Sequence, residues 1–118
     1  MKNTFDKSRV LMQSFNRACD TLEIELESRA KIVGVSELIY AEKQSTGFEI
    51  PGIESELQLI FLHFYKHLFS LAGGNNDFML HWFYTKQQHL NATPADICKS
   101  KAGLSKLTQY MESINKIN

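Results

Sequence analysis

Residues 54–72 constrain this chain more than any other stretch. Leu57, Ile60, Phe61, Phe64, Leu68 and Leu71 recur at helical spacing, and a second stripe of Leu59, Leu62, Tyr65 and Phe69 covers much of the opposite side. A helix that is apolar nearly all round has no face to give to water, so other elements must pack on it from several sides. Gly73-Gly74 stops it. Its longest unbroken apolar run, Leu59-Ile60-Phe61-Leu62, is far below the ~20 residues of a membrane span. The segment therefore reads as the centre of a soluble helical domain.

The rest of the chain supplies the neighbours. Helical periodicity recurs throughout and alternating strand patterns are scarce, which predicts an all-α fold of about seven short-to-medium helices. Val10, Leu11, Phe15, Ala18, Cys19 and Leu22 paint one stripe on a first helix from Phe5 to about Thr21. Glu25 to Val33 forms a second helix, stopped by Gly34. Ser36 caps a third, Glu37 to about Gln44, with Leu38, Ile39 and Ala41 facing inward. Phe48 to Gly52 is an extended connector, because Pro51 disfavours helix at Ile50. It divides residues 1–50 from residues 51–118. After the central helix, Asn76 or Asp77 caps a helix from Phe78 to about Gln87, and Thr93-Pro94 opens a short one to Ser100. A last helix beyond Gly103 carries Leu104, Leu107, Tyr110, Met111 and Ile114.

Charge narrows the function classes. Thirteen Lys/Arg balance thirteen Asp/Glu, so no basic excess announces nucleic acid. A weakly charged small protein tends to self-associate, which favours an oligomer. Cys19 and Cys98 stand alone and far apart, as buried thiols of a reducing compartment do. The stretch Met1 to Arg9 lacks the apolar run of a signal peptide. These features read as a cytoplasmic protein with no membrane partner.

Two short helices around Gly34, with the small Ala30 four residues earlier, form the minimum helix-turn-helix pattern. Val35 plugs the core beneath the turn. In a DNA-binding version the second helix enters the major groove and offers Ser36, Glu37, Tyr40, Lys43 and Gln44. Residues 1–50 hold seven Lys/Arg and eight Asp/Glu, a balance of −1, and Glu37 and Glu42 lie where phosphates would pass. Affinity for DNA comes largely from cation–phosphate contacts, so these residues make DNA contact weak unless a dimer doubles it.

Enzymatic motifs are thin. His63 and His67 have the i, i+4 spacing that chelates metals, but Phe64 stands where a metalloprotease motif carries Glu. The reading is two partly buried histidines, with no metal and no cofactor. Gly73-Gly74-Asn75 is a turn rather than a phosphate loop, since no Gly-Lys-Ser/Thr follows. Trp82 with Phe78, Phe83 and Tyr84 reads as core or interface. Lys99, Lys101 and Lys106 form a modest basic face. No catalytic residues are expected.

The residues from about 8 to 115 resemble the Xre/MbcA/ParS-type antitoxins of bacterial type II toxin–antitoxin systems. Ala30-Lys31-Ile32-Val33-Gly34-Val35-Ser36 looks like the family's helix-turn-helix core, and Arg17 to Ile24 like its first helix and exit. Leu62 to Gly74 looks like its long helix with a glycine-rich end, and Met79-Leu80-His81-Trp82-Phe83 like its Trp-centred helix. Pro94, Ser100, Gly103, Leu104 and Tyr110 fit, in order, its Pro-x-x-x-x-x-Ser-x-x-Gly-Leu pattern and tyrosine-bearing last helix. The chain departs at Asn91-Ala92-Thr93, where the family is glycine-rich, at Phe83, where Leu is usual, and in the shortage of Arg on the would-be recognition helix. The resemblance implies a homodimeric antitoxin. Its C-terminal region would neutralise a cognate toxin, commonly an NAD-degrading RES-domain protein, and its helix-turn-helix would repress its own operon. The residues implied in toxin binding are Trp82, Phe83, Pro94, Lys99, Ser100, Lys101, Gly103, Leu104 and Tyr110. The alternative is a sequence-specific DNA-binding regulator with no toxin partner.

Overall fold

The structure, a computed structural model, describes residues 6–117, and the side chains of residues 6–115. Asp6 starts the first helix: its carboxylate accepts from the amides of Ser8 and Arg9, which satisfies two of the donors a helix N-terminus leaves open. Among the described residues seven helices follow in order: α1 (Lys7–Thr21), α2 (Leu26–Val33), α3 (Glu37–Lys43), α4 (Ile53–Ala72), α5 (Asn76–Tyr84), α6 (Pro94–Ile97) and α7 (Lys101–Ile117). The fold is all-α. Among the described residues the sole β pairing is an isolated bridge between Gln87 and Ala92. The expected helix start at Phe5 lies outside the described residues.

The punctuation acts where local chemistry demands it. Gly34 ends α2 in the left-handed conformation, φ 80°, a region that favours glycine. Ser36 caps α3 by accepting from the Ile39 amide at 3.2 Å. Asn75 caps α5, and Thr93 caps α6 with Pro94 in its first turn. Several boundaries move: α5 ends at Tyr84 rather than Gln87 and takes Asn75, not Asn76 or Asp77, as its cap, and α6 ends at Ile97 rather than Ser100. The last helix, α7, begins at Lys101, ahead of Gly103. Ser100 is the reason, because its Oγ accepts from the Gly103 amide at 3.0 Å and so starts the helix early. A Cβ at position 103 would run into the Ile97 carbonyl oxygen, so glycine lets α6 and α7 meet in so short a turn.

Helix α4 is the hub, packing against α1, α2, α5 and α7. Phe61, Phe64 and Leu68 are completely buried on it. A ladder of rings runs through the core: Phe48, Tyr40, Phe15, Phe61, Phe64 and Phe83, with successive centroids 5.3–6.3 Å apart. Tilted and edge-on pairs of this kind add about 0.5–1.5 kcal/mol each beyond their burial. The ladder crosses the connector at residues 48–52, so the two segments share one core.

The inward faces differ from expectation in two places. On α1, Met12 is buried and Val10 is 41% exposed. On α3, Leu38 is 70% and Ile39 43% exposed, while Tyr40 is wholly buried. Here Tyr40, the largest side chain of α3, takes the core position, where its hydroxyl also finds a partner. The Tyr40 hydroxyl donates to Asn16 Oδ1, which accepts from Arg29 as well. Arg29 in turn donates to Asp20 and to the Ile24 carbonyl.

Candidate interaction site

Helices α2 and α3 are joined by a short turn at residues 34–36 and pack together, with Val35 partly buried beneath the turn as the sequence implied. Of the residues expected to meet DNA, Ser36, Glu37, Lys43 and Gln44 are exposed on or beside α3. Tyr40 is not available, and that assignment is corrected: its ring lies between Phe15 and Phe48. Burial also raises its hydroxyl pKa well above the ordinary value. The outward surface of α3 is led instead by Leu38 and Ile39, beside Glu37 and Glu42. Apolar and acidic side chains suit a protein surface better than a phosphate backbone.

The expected toxin-binding residues divide. Phe83, Pro94 and Leu104 are buried and touch no partner from where they lie, which corrects those three assignments. A family pattern marks positions that matter to a fold as readily as positions on its surface. Gly103 and Ser100 shape the α6–α7 turn. Lys99 pairs with Asp96 at 3.7 Å, and Lys101 with Glu56 on α4 at 3.5 Å. Both are surface ion pairs of little energetic weight. Trp82 and Tyr110 are half-buried. Trp82 packs one side toward Phe64, with ring centroids 6.3 Å apart. Phe78, four residues earlier on the same helix face, is 44% exposed. Phe78 is therefore the open aromatic on this face of α5, with the half-buried Trp82 one turn along.

Sequence reasoning missed a second apolar area. Val10, Ile50, Ile53 and Leu59 are each more than 40% exposed. They line two adjoining shallow depressions that share Ile50 and Leu59. The second stripe on residues 54–72 was its signal: with more apolar faces than neighbours, α4 leaves part of one uncovered.

The thiols are inert as nucleophiles. Burial pushes Cys98 up to about 12 and raises Cys19 further still, so both stay protonated at neutral pH. His63 and His67 lie together on α4, and α7 brings Glu112 beside them, 2.7 Å from His63. Glu112 is not legible as their partner in the sequence, because local spacing says nothing about register between helices. Among the described residues no helix is long and apolar enough to cross a membrane.

No protein-family model matches the chain, and no curated protein matches it.

Proposed function

We propose that this chain is a protein-binding module of the antitoxin type, which silences a toxin by occupying its surface and carries out no catalysis of its own. The observation that supports this reading is where large apolar side chains lie open. Phe78 lies open on α5 beside the half-buried Trp82, within the region the resemblance assigns to toxin binding, and Leu38 and Ile39 cover α3 where a DNA-reading helix needs cations. Aromatic anchors of this kind dominate binding energy at protein interfaces. The uncovered Val10–Ile50–Ile53–Leu59 area supports self-association into a homodimer. Repression of its own operon is the secondary role, exercised through Ser36, Lys43 and Gln44 and dependent on the dimer to supply enough cations. An NAD-degrading RES-domain protein is the toxin class the resemblance favours, and a reducing cytoplasm is the setting the two buried thiols suit.

Co-expression with the toxin-like product of the neighbouring reading frame tests the proposal. Growth should be restored and the two chains should co-purify. A Phe78→Ser variant should remain folded and weaken the complex at least tenfold, equivalent to about 1.4 kcal/mol. Persistent growth arrest with both proteins soluble refutes the antitoxin role. Tight, sequence-specific binding of the operon DNA by the lone chain would favour the regulator alternative.

A further inference from the structure

We infer that His63, His67 and Glu112 form a binding site for a single first-row divalent cation of the zinc type. Nε2 of His63 lies 2.7 Å from Glu112 Oε2 and 3.3 Å from Nε2 of His67, and the last edge, His67 Nε2 to Glu112 Oε2, is 3.9 Å. A triangle with those three edges has a circumscribed radius of about 2.0 Å, close to the length of a zinc–imidazole or zinc–carboxylate bond. A cation slightly above its plane therefore reaches all three donors at bonding distance. Two imidazoles and one carboxylate form a donor set that zinc accepts, and a water molecule completes four-coordination on the open side.

The elements explain why the donors meet. His63 and His67 are one helical turn apart on α4, and their rings stand edge to face with centroids 4.7 Å apart. Glu112 comes from α7, which packs along α4. Asn115, one turn beyond Glu112, places its side-chain amide 2.9 Å from Nδ1 of His67. A metal-binding imidazole carries its proton on the far nitrogen and needs an acceptor there. Asn115 Nδ2 also donates to the His67 carbonyl oxygen at 3.2 Å, which sets the amide nitrogen toward the ring, so metal binding turns Asn115 or leaves the Nδ1 proton to solvent. The four residues line one shallow depression at the surface. His63 and Glu112 are about half exposed and His67 is 24% exposed, so an ion can enter from solvent.

Bound metal would pin α7 to α4, and its effect reaches the fold. At a free zinc level about one hundred times the dissociation constant, the folded-to-unfolded ratio rises about a hundredfold. This inference is independent of the antitoxin reading.

Metal-stripped full-length protein is titrated with Zn(II) against a chromophoric chelator, and with Co(II) by visible absorption. The expected result is one ion per chain, the visible bands of low-coordinate Co(II), and a higher thermal midpoint. His63→Gln, His67→Gln and Glu112→Gln should each lower affinity by about 30-fold or more, by analogy with the 10–100-fold cost of losing even an outer partner. His81→Gln and His89→Gln should leave it unchanged. Histidine-ring NMR of the unsubstituted chain provides a readout that needs no variant: zinc should perturb His63 and His67 and spare His81 and His89. No stoichiometric binding below about 100 μM overturns the inference. So does binding that survives the ligand substitutions, or zinc-induced shifts confined to His81 and His89.

Discussion

Replacing Tyr40 by Phe and by Ala separates a core role from a surface one. The ring is completely buried between Phe15 and Phe48. Truncation to Ala removes a packed aromatic and leaves a void that the neighbouring helices only partly close, at about 3–5 kcal/mol. Tyr40→Phe keeps the packing and loses the hydroxyl's bond to Asn16 Oδ1, which still accepts from Arg29. That loss is about 1 kcal/mol. Domains of this size have urea m-values of about 1.5 kcal/mol/M. The unfolding midpoint should therefore drop by about 0.7 M for Tyr40→Phe and by about 2–3 M for Tyr40→Ala. Asn16→Ala in the Tyr40→Phe background should cost less than in the parent, because the pair shares one interaction. A midpoint for Tyr40→Ala within about 0.5 M of the parent would refute the buried placement. So would a Tyr40→Phe variant of unchanged stability that lost affinity for operon DNA, since that restores Tyr40 to the outer face of α3.

Two more perturbations follow from buried polar groups. Cys98, Cys19 and Tyr40 all ionise at higher pH in the folded chain than in the unfolded one, because burial disfavours their charged forms. Between the ordinary thiol value of 9.0 and the folded value of about 12 for Cys98, the unfolded state binds fewer protons. Stability is thus fully present below pH 9 and should fall above it, by up to about 1.4 kcal/mol per pH unit for each titrating group; Cys98→Ala should flatten this slope in chemical denaturation at pH 8–11. Gln58 is wholly buried, and its Oε1 has no hydrogen-bond partner, so Gln58→Met should stabilise the fold by about 1–2 kcal/mol, and calorimetry showing destabilisation would contradict that unsatisfied atom.

Where the chain turns was legible, because turns obey local rules. Gly34, Ser36, Gly73 and Thr93-Pro94 each act within a residue or two of where their chemistry predicts, and the surplus of apolar faces on residues 54–72 foretold a central helix. Which way short helices face was not legible. Leu38 and Ile39 are the more hydrophobic choice on α3, yet Tyr40 goes inward because Asn16, far away in sequence, receives its hydroxyl. The histidine pair was visible as a spacing, whereas Glu112 joins it only through the packing of α7 on α4. Positions carried by family pattern mixed two kinds of constraint: Phe83, Pro94 and Leu104 hold the core, while Ser100 and Lys101 lie outside it.

The ring ladder through α4 has a consequence for how the two ends of the protein can influence each other. With Phe15 and Phe61 in edge contact at 5.3 Å, and Tyr40 and Phe83 in the same core, the α2–α3 corner and α5–α7 share one packed interior. Rotating one end against the other would have to break that interior. What remains is shared breathing: for amides at either end that open only when the common core opens, a ligand gripping one end should slow exchange at the other. A partner bound at α5 would steady α3 without moving it.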